Sequence, residues 1–373
     1  MNQTSIKEKE TPQRAEAPQK STPPNPSKDR AELLVLLTSV VALVLAFSIL
    51  LLSFLNPIDK PSEESSDEPS TPEETDPPEH IAITYPTNPS RDSYLLSENG
   101  AAIDGSPLSA DYAILVSLSD YSVVASLDAD ARIYPASMTK IMTLIVACEE
   151  IKDASVMLTV TDKILEYCRK SDATVLAMDP FDRFTATDML YAVGVESAAD
   201  ACLALADHIA GSESSFVALM NAKAHSLGLT KTNFANCTGL DNAENYSTAR
   251  EMATILAYAL DNPFCRDILS TNSRTALGSY DDDEGNEKTY NRYLQNTLWS
   301  RLSGAGYEKK LPASLSCGMT LLGAKTGYTD EGGYCLASFL EGSDGKLYIT
   351  VTAKGEKAGT SITDMEDILK KHA

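Results

Sequence analysis

The 373-residue chain sets 31 Lys and Arg against 53 Asp and Glu, a formal net charge of −22. That balance repels nucleic acid and anionic lipid headgroups, which excludes both as ligands, and the length holds one large domain or two moderate ones. Seven cysteines form no Cys-x-x-Cys pair, and the histidines at 80, 208, 225 and 372 form no His-x-x-x-His cluster, so neither a zinc site, a redox motif nor a disulfide framework is expected.

Residues 1–32 are polar, with Pro and Gln and no apolar periodicity, and read as a disordered tail. From Leu33 to Leu55 the chain is apolar apart from four hydroxyl residues and carries no charge, long enough to cross a bilayer. No Ala-x-Ala pattern follows it, so an uncleaved signal anchor is favoured over a cleaved signal peptide. Basic residues precede this span and acidic ones follow, which places the tail in the cytoplasm and the remainder outside the membrane. Residues 56–93 combine recurrent Pro with Ser, Thr, Glu and Asp. Such a segment buries no core and serves as an extended, self-repelling stalk.

The globular part spans 94–373. Tyr112–Leu118 and Ser122–Leu127, separated by three polar residues, predict an antiparallel hairpin. An apolar helix follows from about Ser137, with Pro135 ahead of it. The next stretch reads as predominantly helical. Thr185 and Asp188 mark one helix start, Ala201–Ala210 and Phe216–Leu227 are apolar-periodic, and Tyr246-Ser-Thr leads into a helix through Leu260. Residues 278–288 are expected to be a polar loop. Strands return at Leu321–Thr326, Tyr334–Leu340 and Leu347–Ala353, and a helix over Ile362–Lys371 closes the chain. Strands at both ends with helices between predict an α/β (α+β) arrangement, an antiparallel sheet flanked by helices with an inserted all-helical subdomain.

Three short motifs carry chemistry. Ser137-Met-Thr-Lys140 puts a hydroxyl and an amine three residues apart on one helix face, next to the unpaired N–H groups of a helix N-terminus. Serine is a weak nucleophile until a base takes its proton, and lysine is that base only when burial or a second cation keeps it neutral. Ser-x-x-Lys is common by chance, and Ser343–Lys346 repeats it in an evident turn. Lys325-Thr-Gly327 lies on a predicted strand. There Lys325 could hold a substrate carboxylate and depress the pKa of Lys140, Thr326 could bond the same carboxylate, and Gly327 would admit a substrate backbone. Ser197, in Glu196-Ser-Ala-Ala-Asp200, could pass a proton to a leaving amine, or could simply cap a helix with Asp200 three residues on.

Taken together, Ser137-Met-Thr-Lys140, a serine motif about sixty residues later and Lys325-Thr-Gly327 resemble the penicillin-binding D-alanyl-D-alanine carboxypeptidases. Tyr134–Thr143, Ala210–Asn221, Leu227-Gly-Leu229, Gly239-Leu-Asp241 and Tyr246-Ser-Thr-Ala249 are similar to segments of that family. The resemblance covers about 110–355 and implies a β-lactamase/transpeptidase-like fold, a serine peptidase without cofactor, and peptidoglycan stem peptides ending in D-Ala-D-Ala as substrate. It makes Ser137 the nucleophile, Lys140 its base, Ser197 a proton relay, Lys325 and Thr326 the carboxylate holders beside Gly327, and the N–H groups of Ser137 and Tyr328 an oxyanion hole. β-Lactams would acylate Ser137 and stall there, and the lipid bilayer would be a partner through residues 33–55.

Two departures stand out. The family's second motif is usually Ser-x-Asn, and here that asparagine position is Ala199. Only about twenty residues follow the last strand, so the extra C-terminal β-domain of many relatives is not expected. The loss at Ala199 keeps open a catalytically weak wall-binding or β-lactam-sensing module. A β-lactamase is the other alternative, although no Glu-x-x-x-Asn lies between Ser137 and Ser197 to activate a deacylating water.

Overall fold

The computed structural model describes residues 94–97 and 100–373. The expected tail, membrane span and stalk, residues 1–32, 33–55 and 56–93, lie outside them. Among the described residues no helix is long and apolar enough to cross a membrane.

The first strands are β1 (Ala101–Ala102), β2 (Tyr112–Ser117) and β3 (Ser122–Leu127). A single 3₁₀ turn, Ala136–Thr139, leads into α1 (Lys140–Glu150). Then come β4 (Met157–Thr159), α2 (Asp162–Lys170), β5 (Arg183–Thr185) and α3 (Ala186–Tyr191), which passes through a π-type turn at Ala192–Glu196 into α4 (Ala199–Ala210). After α5 (Glu213–Ser226) and a long loop follow α6 (Ala249–Asp261), α7 (Pro263–Ser270), β6 (Ser273–Asp281), β7 (Glu287–Gln295) and α8 (Leu298–Gly304). The chain closes through β8 (Ala313–Ser314), β9 (Thr320–Thr329), β10 (Gly333–Glu341), β11 (Leu347–Gly355) and α9 (Thr360–His372).

The two ends of the chain combine in one sheet, as expected. Seven strands form one sheet in the order β1-β3-β2-β11-β10-β9-β8, with the early hairpin paired to the last strand. All its pairings are antiparallel except that of β1 with β3. Successive side chains of a strand point to opposite faces, and the sheet uses both. Ile114 and Val116 of β2, with Ile349, Val351 and Ala353 of β11, join the larger core shared with α1 and α4 to α7. Ala113, Leu115, Leu336 and Leu340 join a second core with α8 and α9. Helix α1 is buried from Lys140 to Cys148, so it is the central post of the larger core.

The expected all-helical insertion is corrected. It carries a second sheet, β4-β5-β6-β7, and residues 278–288 belong to its hairpin, not to a loop. Ser273 to Asp281 pair in unbroken register with Gln295 to Glu287. Only the turn at 282–286 is loop-like, with the Asp282 carboxylate accepting the N–H groups of Glu284 and Asn286. The polar letters misled because most of this hairpin faces solvent, while Ala276 and Leu294 point inward. At Gly278 a Cβ would lie 2.7 Å from both Phe184 Cζ and Tyr290 Cζ, so glycine there lets two rings close over the strand.

Several helix starts follow their local chemistry. Thr185, Ser212 and Thr248 accept N–H groups from Asp188, Ser215 and Glu251 through their hydroxyls, each such cap contributing about 1 kcal/mol. Asn262 caps α7 with Pro263 in the first turn, where a missing N–H costs nothing. The seven cysteines are unbridged.

Gly239 fixes the entry to α1. Its φ is +78°, and a Cβ there would sit 2.0 Å from the carbonyl oxygen of Ala136. Gly211 has a similar φ of +74° but nothing within 4 Å. Gly211→Ala is therefore expected to cost about 1 kcal/mol, the left-handed penalty alone, and Gly239→Ala roughly 3 kcal/mol, because backbone must also move. Urea denaturation of the two variants measures the difference; equal costs would show that the loop at 236–240 is not wedged against Ala136.

Candidate active site

The fold brings three distant segments of sequence together. The turn Ala136–Thr139 delivers Ser137 at the mouth of α1, half-buried, with Ala136 itself at a left-handed φ of +50°. Lys140, one turn on, is buried, and its Nζ lies 3.1 Å from Ser137 Oγ. The same amine donates to the Thr238 carbonyl at 2.5 Å. Thr143, three residues further on the same helix face, donates to the Cys237 carbonyl at 2.6 Å. The loop at 236–240 is thus pinned along α1 by two side chains at helical spacing. Its own turn is closed by Asn236, whose side-chain oxygen accepts the Gly239 N–H at 2.7 Å.

Ser197 comes from the π-type turn that ends α3. It is buried and sits in the left-handed region, with φ of 65° and ψ of 30°. The helix-cap alternative falls, because the cap of α4 is Ala198 and makes no side-chain bond. The Asp200 carboxylate points away and accepts the Leu176 N–H at 2.9 Å and 3.0 Å. Ala199 is buried, and its own N–H bonds the Thr174 carbonyl at 2.8 Å. A methyl group therefore occupies the place where the resemblance led one to look for an amide.

Strand β9 supplies the third segment. Alternation sends Lys325 and Gly327 to the face that carries α1, and Lys325 Nζ donates to Ser197 Oγ at 2.9 Å and to the Thr326 carbonyl at 3.1 Å. Thr326 shares a hydroxyl–hydroxyl bond of 2.7 Å with Thr297. A Cβ on Gly327 would lie 3.0 Å from the Pro135 carbonyl oxygen and 3.1 Å from the Ser137 nitrogen. Only glycine lets the strand come this close to the turn. The Tyr328 side chain is exposed and bonds Asp330 at 3.1 Å. The Ser343–Lys346 repeat lies at the β10–β11 hairpin, where Lys346 pairs with Asp344.

Burial lowers the pKa of Lys140, opposed by the nearby Cys202, Cys237, Cys168 and Asp200. Lys325 is pushed well down, first by burial and then by the positive charge of Lys140. Of the two causes the motif left open, burial or a second cation, burial leads for both lysines. Thr238, Asn236, Thr297 and Arg301 entered the site without being foreseen. Only the Asn-x-x-Gly spacing of Asn236 and Gly239 offered a sequence signal. Among the described residues no group of His, Cys, Asp or Glu could hold a metal.

A family model described as D-alanyl-D-alanine carboxypeptidase matches residues 99–354. The chain belongs to the D-alanyl-D-alanine carboxypeptidase family. Relatives of this family member include the carboxypeptidase DacF of Bacillus subtilis, 30% identical over 232 residues, which cover 61% of this chain and 53% of that protein. DacC of Escherichia coli is 39% identical over 148 residues, 38% of this chain and 37% of that one. A single-substitution variant of the Streptomyces K15 DD-transpeptidase superposes with a TM-score of 0.61 at 26% identity, covering 70% of this chain and 96% of that structure. Penicillin binding protein 5 from Haemophilus influenzae gives a TM-score of 0.58 at 25% identity over 72% of each chain. The family chain spans about half the length, or less, of the curated relatives named here.

The lowered lysines set a pH expectation. A lysine whose folded pKa lies below its ordinary 10.5 loses its proton first in the folded state. If Lys140 is the base that activates Ser137, acylation of Ser137 should therefore rise with pH through a limb below 10.5 and level off above it. Unfolding stability should also rise with pH between the lowered values and 10.5, where the unfolded chain binds more protons. Lys140→Arg, which cannot give up its proton, should lower acylation by more than about 10³-fold at every pH, a size in keeping with losing one member of a catalytic unit. Rapid-mixing acylation from pH 5 to 10 reads this, and a rate that recovers in the variant at high pH would remove Lys140 as the base.

Proposed function

We propose that this chain is a serine-type D-alanyl-D-alanine carboxypeptidase, anchored by residues 33–55 with its globular part on the extracytoplasmic face, and that penicillins acylate it. The reading rests above all on the pairing of two hydroxyls with two buried amines. Lys140 Nζ stands 3.1 Å from Ser137 Oγ, and Lys325 Nζ stands 2.9 Å from Ser197 Oγ.

In this reading Lys140 takes the Ser137 proton as Oγ adds to the carbonyl carbon between two terminal D-alanines. The N–H groups of Ser137 and Tyr328 stabilise the oxyanion. The carbon–nitrogen bond then breaks, and the proton held by Lys140 passes through Ser197 to the departing amine, so that D-alanine leaves as a neutral amine. Lys325 keeps Ser197 oriented and supplies positive charge, and the Thr326–Thr297 hydroxyl pair lies ready for the terminal carboxylate. Water adds to the ester, and Ser137 recovers its proton. A β-lactam follows the same first step, but its leaving nitrogen stays tethered to the acyl group and blocks the water.

A second reading, a weakly catalytic penicillin-sensing module, draws on Ala199, which offers no amide to Lys140 or substrate. One set of measurements separates the readings. The full chain should release D-alanine from a peptide ending in D-Ala-D-Ala, and should form a stable benzylpenicillin adduct on the peptide containing Ser137. Ser137→Ala should abolish both. A stable adduct without D-alanine release favours the sensing module, rapid turnover of the penicillin favours a β-lactamase, and D-alanine release surviving Ser137→Ala defeats the acyl-enzyme reading.

A further inference from the structure

Arg301 of α8 is a buried cation beside the site, and the motifs give no hint of it. Its Nη2 donates to the Gly327 carbonyl at 2.7 Å, and its Nη1 to the Cys335 carbonyl at 3.2 Å and to Ser361 Oγ at 2.8 Å. The guanidinium carbon lies 5.1 Å from the centre of the Tyr334 ring. Its polar partners are two backbone carbonyls and a hydroxyl, and no carboxylate pairs with it among the described residues. Burial brings its pKa down to about 10, so it is charged at neutral pH. A buried charge without a counter-ion is costly, and what this one secures is one peptide group of the Lys-Thr-Gly strand.

The direction of that peptide matters. Gly327 and Cys335 face each other in register across β9 and β10, so a guanidinium bonded to both carbonyls lies on the β10 side of β9. In a planar trans peptide the C=O of one residue and the N–H of the next point opposite ways. The Tyr328 N–H is thereby turned away from β10, toward the edge of β9 that β8 covers only at Thr320 and Leu321. At this stretch the strand meets Ser137, whose nitrogen lies 3.1 Å from where a Gly327 Cβ would be. A cation on the carbonyl also strengthens the peptide's N–H as a donor, because hydrogen bonds in a chain polarise one another.

The geometry points to Arg301 as a positioning residue for the oxyanion hole: its guanidinium holds and polarises the Gly327–Tyr328 peptide so that the Tyr328 N–H faces the oxyanion formed on Ser137. Arg301 does not touch the substrate. Ser361, itself bonded to the Ala358 carbonyl at 3.0 Å, steadies the guanidinium from α9. The inference rests on the acyl-transfer reading above and adds a residue to it.

The full chain and its Arg301→Lys, Arg301→Met and Ser361→Ala variants test the proposal, with an acyl-D-Ala depsipeptide ester and its thionoester analogue as probes. Sulfur fits an oxyanion hole poorly, so a working hole favours the ester, and weakening the hole shrinks the ester-to-thionoester rate ratio. Arg301→Met should slow both acylation and deacylation by roughly 10- to 100-fold, less than the ~10²–10³-fold loss of a donor itself. It should leave substrate affinity nearly unchanged and reduce the ratio. Arg301→Lys should recover part of both, and Ser361→Ala should show a smaller loss of the same kind. Should Arg301→Met fail to fold, as its thermal melt would report, Arg301→Lys and Ser361→Ala decide. Folded variants with slowed acylation but an unchanged ratio, or with only weaker substrate affinity, overturn the proposal. A folded wild-type chain that is not acylated at Ser137 overturns the acyl-transfer reading as well.

Discussion

Everything at this site depends on how closely a strand and a helix entry can approach. Gly327 on β9 and Gly239 in the loop at 236–240 both press against the backbone of Ala136 and Ser137. Removing two Cβ atoms lets three chain segments converge on one hydroxyl. The left-handed backbone at Ala136 belongs to the same arrangement, since the turn is held by neighbours on both sides. Strain of this kind persists only where the surroundings over-determine it, and here α1 is buried along nearly its whole length.

Burial also shapes the chemistry. A surface lysine three residues from a serine would remain protonated and do little. Lys140 sits inside the larger core, donating to Ser137 Oγ and to a backbone carbonyl, and among the described residues no carboxylate bonds it. Lys325 is more deeply placed and feels Lys140 in addition. Two amines sharing a low-dielectric pocket favour states in which they do not both carry charge. The protein keeps one amine against each hydroxyl.

The sheet supplies what the helical part lacks, a rigid edge. Strand β9 is paired along β10 and nearly unpaired on its other side beyond Leu321. Lys325, Gly327 and the Tyr328 backbone all lie on that open stretch. Arg301 reaches it from behind, through a core of its own made by α8 and α9. The second sheet contributes indirectly: Arg292 of β7 donates to the Leu176 carbonyl at 2.6 Å, and the Leu176 N–H in turn meets Asp200 beside the Ser197 turn.

The sequence by itself marked five of the seven strands of the main sheet and the helix behind Ser137, and it singled out Ser137, Lys140, Ser197, Lys325, Thr326 and Gly327 as candidates, because local period and short motifs are written in neighbouring letters. It misjudged 278–288, where an exposed hairpin has the composition of a loop and pairing partners decide the outcome. It could not reveal Arg301, Thr297 or Thr238, which have no local signature and matter only through contacts across the fold. Nor could it rank the causes acting on Lys140, since burial belongs to the assembled core. Tertiary structure alone decided these points, because desolvation and the direction of a peptide group are set by what packs around a residue and not by what stands beside it in the chain.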